Sequence, residues 1–100
     1  MSVFVVIRVP GDPGKFEQYA KENAELLRSI AAEGKAAGAI HHAFSSGDGE
    51  IVVFDEWPDA QSFQQFFEGQ KEIPRLMQEG GATGAPQISV YPKLDTVDVF

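Results

Sequence analysis

The most constraining feature of the sequence is an apolar strand that ends in a tryptophan and is followed at once by a phenylalanine-rich segment. Glu50 to Trp57 form the candidate strand, Pro58 and Asp59 close it, and Ala60 to Phe67 begin a helix. In a two-layer protein this junction places large aromatic rings in the gap between sheet and helix, where a small hydrophobic ligand could bind. Rings at this spacing are more often ordinary core residues than a binding site, so the junction indicates a fold more directly than a function.

Composition excludes several functions. The chain has 100 residues, which predicts a single domain over 1–100. Its 8 Lys and Arg against 15 Asp and Glu give a formal net charge of −7, which repels nucleic acids and anionic membrane surfaces. It has no cysteine, so disulfides and thiolate chemistry are excluded. The first apolar run ends at Ile7 and has no basic region before it, so we expect neither a signal peptide nor a membrane span, and a cytoplasmic location by default.

The first half of the chain predicts a strand followed by one long helix. Val3 to Val9 are apolar with little alternation, which is typical of a strand covered on both faces. Asp12 is a favourable N-cap, and Pro13 suits the first helical position. Apolar residues then recur every three or four positions, and Gly38 is the expected end of the helix.

The second half predicts a hairpin, a helix and a last strand. The turn residues Ser46 to Gly49 join a strand over Ala39–Ser46 to the strand over Glu50–Trp57. Asp59 should cap the second helix, which we expect to break near residues 69–72 and to restart around Pro74, because proline cannot lie within an unbroken helix. Gln87 to Leu94 complete the pattern as a fourth strand.

This order of elements predicts an α+β, ferredoxin-like βαββαβ fold, with a four-stranded antiparallel sheet and both helices on one face. The open face would then carry apolar side chains from two runs, Val5–Ile7 and Ile51–Phe54. Soluble monomers avoid a large exposed apolar patch, so we expect a homodimer that packs through this open face. The alternating tail Thr96–Phe100 could add to that contact or could be a frayed terminus.

The order of elements, the doubly apolar strands and the junction of Asp55-Glu56-Trp57 with Asp59 to Phe63 together resemble the dimeric α+β barrel superfamily, specifically antibiotic-biosynthesis-monooxygenase-like (ABM) domains. The likeness covers essentially the whole chain. The stretch Gly38 to His42, with the turn at Gly47–Gly49, looks like an uncharacterised actinobacterial branch. The resemblance implies a homodimer, a pocket between sheet and helices, and oxidation chemistry that needs no cofactor.

Two activities of related proteins need residues that this chain lacks. Haem-degrading members of the superfamily hold haem with a histidine ten positions after the strand-three tryptophan, where this chain has Phe67. They also use an asparagine on strand one, where this chain offers only apolar residues. The quinone-forming monooxygenases place an asparagine four residues before the tryptophan, where this chain has Val53. Haem degradation is therefore disfavoured, and Trp57 is the residue of these motifs that remains.

His41 and His42 are the other residues that could carry chemistry, because histidine transfers protons near neutral pH. Adjacent strand residues point to opposite faces, so they cannot easily bind one metal ion together. A two-residue hairpin loop would set His42 beside Asp55 and Trp57, whereas a three-residue loop would set His41 there. An imidazole oriented by a carboxylate is a credible general base. The alternative is that both histidines are structural residues with satisfied hydrogen bonds.

The sequence therefore predicts a pocket between sheet and helices with no metal and no cofactor. The candidate catalytic residues are His42, His41 and Asp55, and the candidate walls are Trp57, Phe44, Phe63, Phe67 and Met77, with Trp57 at the mouth. Two functions stay open. One is a cofactor-independent monooxygenase, or related enzyme, for a small aromatic or polyketide-like molecule. The other is a non-catalytic homodimeric module that binds a small ligand or another protein.

Overall fold

The sheet has four strands, and four helices pack on one of its faces. The computed structural model describes residues 1–100. Its elements are, in chain order, β1 (Val3–Pro10), α1 (Pro13–Glu22), α2 (Ala24–Ala36), β2 (His41–Ser46), β3 (Glu50–Trp57), α3 (Ala60–Gly69), α4 (Glu72–Glu79) and β4 (Gln87–Pro92). The strand order is β2-β3-β1-β4, with every pair antiparallel. The predicted α+β, ferredoxin-like fold is confirmed.

The core lies between the central strands and the helices. Val3, Val5, Ile7 and Val9 of β1 are buried, whereas Phe4 on the opposite face is 41% exposed. Both faces of β1 were expected to be covered because its apolar run does not alternate. Within this single chain only the helix side is covered, since the helices pack on one face of the sheet.

The predicted first helix is divided at Asn23. The side chain of Asn23 donates to the carbonyl oxygen of Tyr19 at 2.9 Å, and its backbone has φ −122° and ψ 38°. The backbone N–H of Asn23 donates to the same oxygen at 2.9 Å, so Asn23 caps the end of α1 with two hydrogen bonds while its own backbone leaves the helical conformation. The prediction of one continuous helix was therefore wrong, and α2 begins at Ala24.

The other boundaries differ from the predictions by a few residues. The expected break in the second helix is confirmed, but α4 restarts at Glu72, so that Pro74 lies in its first turn, where a missing N–H costs little. Strand β2 begins at His41 and not at Ala39, and β4 ends at Pro92 and not at Leu94. The N-caps Asp12 and Asp59 are confirmed, because each accepts hydrogen bonds from the first turn of its helix. No helix combines the length and the apolar character that a bilayer crossing requires.

A buried carboxylate joins three chain segments on the open face of the sheet. Glu56 is only 7% exposed, yet it lies on the side of β3 that faces away from the helices. It accepts hydrogen bonds from Ser2 Oγ at 2.6 Å and Lys93 Nζ at 3.3 Å, and it contacts His41 Nδ1 at 3.0 Å. These contacts tie the N-terminus, β2 and the end of β4 to β3.

We expect Glu56→Gln to lower stability at neutral pH and to lose this effect in acid. The hydrogen bond from Ser2, followed by those from His41 and Lys93, lowers the pKa of Glu56 from 4.5 to about 2. A carboxyl group whose pKa is depressed by folding contributes stability that is complete above pH 4.5 and is lost as the pH falls toward 2. Urea denaturation of both proteins across this range measures the difference in free energy of unfolding.

The exposed Glu68 provides the control, since Glu68→Gln should have little effect at any pH. A cost of Glu56→Gln that stays constant down to pH 2 would contradict the assignment.

Candidate functional site

The hairpin between β2 and β3 has a two-residue loop, Asp48-Gly49. Gly47 N donates to Glu50 O at 2.9 Å, which closes the loop, and Gly49 has a φ of +70°, which glycine adopts at little cost. Of the two loops considered, the two-residue one is thus present. His42 lies opposite Asp55 as a result.

A cavity of about 110 Å³ lies between the sheet and the helices. Its walls are almost wholly apolar, and His42 and Asp55 are its polar side chains. All of the candidate wall residues line it, namely Trp57, Phe44, Phe63, Phe67 and Met77. A shallower groove of about 350 Å³ adjoins it and shares Phe67, Ile73, Met77 and Ala82 with it.

Trp57 lies deep in the core and not at the mouth of the pocket. It is only 1% exposed. Its ring packs edge-to-face against Phe63, with centroids 5.9 Å apart, and is tilted against Phe66 at 5.4 Å. Phe63 in turn stacks on Phe67 at 5.5 Å. The aromatic residues of α3 are therefore core residues that also form the cavity wall, and the expected position of Trp57 at the mouth was wrong.

Asp55 is shared between an imidazole and the indole. Its Oδ1 lies 2.7 Å from His42 Nδ1, and its Oδ2 accepts a hydrogen bond from Trp57 Nε1 at 3.1 Å. The side chain of Asp55 is 9% exposed and that of His42 is 40% exposed. A carboxylate can only accept hydrogen bonds, so the proton of a neutral His42 belongs on Nδ1. The other nitrogen, Nε2, is then an acceptor.

This arrangement has the geometry of an oriented general base. An imidazole held by a carboxylate can take a proton at Nε2, and the carboxylate stabilises the cation that forms. Phe44 contacts the imidazole edge-on with centroids 5.0 Å apart, which restricts its rotation. The site contains no lysine or arginine.

His41 lies outside the cavity. Its Nδ1 is 3.0 Å from Glu56 Oε1 on the open face of the sheet, and its side chain is 78% exposed. The two candidate histidines are thus separated, and only His42 joins Asp55 and the aromatic walls. The two adjacent His–carboxylate contacts arise from antiparallel pairing, which sets His41 opposite Glu56 and His42 opposite Asp55.

Two features of the site were not predicted from the sequence. One is the hydrogen bond from Trp57 to Asp55, which the spacing could have indicated, because residues two apart on a strand share a face. The other is the contact of Phe66 with both Trp57 and Gly34, where an added Cβ would lie 3.5 Å from the Phe66 ring. No local sequence signal identifies that contact between α2 and α3.

Comparisons with known proteins identify the fold. No protein-family model matches the chain. No curated protein matches it in sequence. Among solved structures, a conserved protein from Methanosarcina mazei Go1 is similar with a TM-score of 0.68 and 22% identity, over 94% of each chain.

Two oxygenases share the same fold. SnoaB, a cofactor-independent oxygenase from Streptomyces nogalater, is similar with a TM-score of 0.57 and 19% identity over 98% of each chain. A monooxygenase of Streptomyces coelicolor in complex with nanaomycin D has a TM-score of 0.62 and 15% identity, over 98% of this chain and 93% of that one. The resemblance to ABM-like domains is thus supported at the level of the fold. The narrower actinobacterial branch is not supported.

We expect the bond between Trp57 and Asp55 to appear as a coupling energy in a double-mutant cycle. Asp55→Leu should lower the free energy of unfolding by about 1–3 kcal/mol, because it leaves the buried indole N–H without an acceptor. Adding Trp57→Phe removes that donor, so Asp55→Leu should cost less when it is combined with Trp57→Phe than when it is made alone. Urea denaturation of the four proteins measures the coupling, and strictly additive costs would contradict the bond.

Proposed function

We propose that this protein is a homodimeric, cofactor-independent monooxygenase, or a closely related enzyme, for a small aromatic or polyketide-like molecule. The observation that carries the proposal is the acceptor nitrogen of His42, held by Asp55 beside an apolar cavity. A base with an oriented partner inside an aromatic pocket is a recognised pattern of active sites.

The similar structures support the reaction class by analogy. SnoaB is a cofactor-independent oxygenase, and the Streptomyces coelicolor monooxygenase binds nanaomycin D. Their identity to this chain is 19% or less, so they share its fold, and function has to be argued from the site itself.

In the proposed mechanism the chain positions the substrate and accepts a proton. His42 Nε2 takes a proton from a hydroxyl group of the bound aromatic ring, and Asp55 stabilises the resulting imidazolium. The ring anion attacks molecular oxygen through a ring carbon that bears a hydrogen, and the peroxide that forms takes the proton back from His42. Loss of the ring hydrogen as a proton and cleavage of the O–O bond then release water and leave a quinone carbonyl, so one oxygen atom enters the product and the other leaves as water. The apolar walls hold the ring in one orientation, which lowers the entropic part of the barrier.

The alternative is a non-catalytic module that binds a small ligand or acts through its dimer surface. The small cavity volume, about 110 Å³, favours this alternative because ligand pockets usually measure about 300–1,000 Å³. Against it, the histidines contact carboxylates and not backbone carbonyl groups. Haem degradation stays disfavoured, because Phe67 lines this small cavity at the position where a haem-binding histidine would be needed.

Oxygen consumption tests the proposal. The purified protein is supplied with a panel of hydroxylated one- to three-ring aromatics, and oxygen uptake and product mass are recorded. We expect turnover that needs no added metal or cofactor, and a decrease in kcat of about 10²- to 10⁴-fold in His42→Ala. His41→Ala is the matched control, since His41 lies on the other face of the sheet. Equal losses in the two variants, or no oxygen uptake with any member of the panel, would overturn the enzymatic proposal.

The homodimer is proposed from the open face of the sheet. Phe4, Phe54 and Tyr91 are 41%, 51% and 56% exposed and lie on adjacent strands of that face. A second copy packed on this apolar patch would remove it from water, and a two-fold axis would make the contact self-complementary. The cytoplasmic location stays a prediction from the sequence.

We expect Phe54→Lys to convert a dimer into a monomer, because it places a charge at the centre of the apolar patch. Sedimentation velocity at several concentrations measures the mass. Ile40→Lys is the control, since Ile40 is similarly exposed, at 49%, but precedes β2 and lies outside the patch. A wild-type protein that sediments as a monomer would disprove the homodimer.

A further inference from the structure

We infer that the cavity selects a neutral, single-ring aromatic molecule that carries a hydrogen-bond donor, as phenol does. This inference deepens the proposed function and rests on its assignment of His42 as the group that meets the substrate. Three properties of the cavity lead to it: volume, charge and the direction of its one available hydrogen bond.

The volume of the cavity fits one ring. About 110 Å³ is of the same order as the roughly 150 Å³ of an engineered apolar cavity that binds benzene. A second fused ring would have to extend into the adjoining groove past Phe67 and Met77, which line both spaces, so these side chains would have to move. His42 is partly exposed, so it lies on the side of the cavity that solvent can reach, whereas Trp57 is buried. A substituent on the ligand ring therefore has more room near His42 than near Trp57.

The charge of the site excludes an anionic ligand. No lysine or arginine lines the cavity. The carboxylate of Asp55 is already engaged through both oxygens and would repel a second anion. Burying an unpaired carboxylate in an apolar environment is costly, so benzoate should be rejected although its ring has the right size.

The hydrogen bond available to a ligand runs in one direction. Because His42 donates through Nδ1 to Asp55, its Nε2 can only accept while the ring is neutral. A hydroxyl group on the ligand satisfies this acceptor. A methoxy group offers only a lone pair, and toluene offers nothing. The site therefore distinguishes phenol from anisole, although the two molecules have similar shapes.

A single substitution at Asp55 should reverse the direction of the hydrogen bond that His42 offers, because Trp57 fixes which side of residue 55 is the acceptor. In Asp55→Asn the amide oxygen is the acceptor for the indole N–H, which turns the amide NH₂ group toward His42. His42 Nδ1 must then accept, so its proton moves to Nε2 and the site becomes a donor. We expect the preference to shift from phenol toward anisole.

Binding titrations followed by the fluorescence of Trp57, with calorimetry as a check, test the inference. They are carried out without oxygen at about pH 8, where ordinary imidazole groups and phenols are both neutral. The probes are phenol, anisole, toluene, benzoate and 1-naphthol. For the wild-type protein we expect phenol to bind, and benzoate and 1-naphthol to bind at least about tenfold more weakly.

The variants isolate the hydrogen bond. The ratio of phenol to toluene affinity should fall about tenfold in His42→Phe, the value of one good hydrogen bond, and should be unchanged in the matched control His41→Phe. The ratio of phenol to anisole affinity should fall by a similar factor in Asp55→Asn. Circular dichroism verifies that each variant is folded, and the two substitutions are made in separate proteins, so one misfolded variant leaves the other as a test.

Several outcomes would overturn the inference: benzoate or 1-naphthol binding as tightly as phenol, no measurable binding of any probe, or an unchanged phenol-to-toluene ratio in His42→Phe. Its failure is distinguishable from that of the proposed function. Selective phenol binding without oxygen uptake would refute the oxygenase and support this inference. Turnover of multi-ring substrates that depends on His42 would support the oxygenase and refute this inference.

Discussion

The loop of two residues at Asp48-Gly49 sets the register of the β2–β3 hairpin, and the arrangement of the site depends on that register. A shift of one residue would move every β2 side chain to the other face of the sheet. His42 would then face away from the helices, and His41 would take its place beside Asp55. Instead, the pairing of His42 with Asp55 brings a titratable side chain of β2 against the aromatic residues that follow β3.

Burial of Trp57 explains why Asp55 is tolerated inside the helix-covered face. A buried indole N–H needs an acceptor, and a buried carboxylate needs donors. The two requirements are satisfied together, because residues two apart on β3 point to the same side and Trp57 can bond to Asp55. The second carboxylate oxygen is then free for His42. The bond that completes the core therefore also fixes the carboxylate that orients His42.

The predictable parts of this protein are those set by local sequence. The bounds of β3 are as predicted, because Pro58 and Asp59 end the strand and cap the helix within a few residues. The division of the first helix at Asn23 was missed, since the apolar period continues through it and the non-helical backbone of that one residue leaves no mark on the period. The contact between Ser2 and Glu56 links residues 54 positions apart and leaves no local signal. The volume of the cavity is likewise beyond sequence reasoning, because it is the space left when many side chains have packed.

That space lies between two parts of the core. Trp57 and Phe63 belong to one cluster of buried residues, Phe16 and Leu76 belong to a second, and members of both line the cavity. A void forfeits the dispersion contacts that its lining atoms would otherwise make, so an apolar ring that fills it restores contacts on both sides at once. A ligand that binds only the folded state also stabilises it. A ligand bound in this cavity would therefore raise the free energy of unfolding. In a chain of 100 residues, with little core to spare, a small cavity costs less stability than a large one. The same tight packing that would limit a ligand to one ring would thus let that ligand contact both halves of the core.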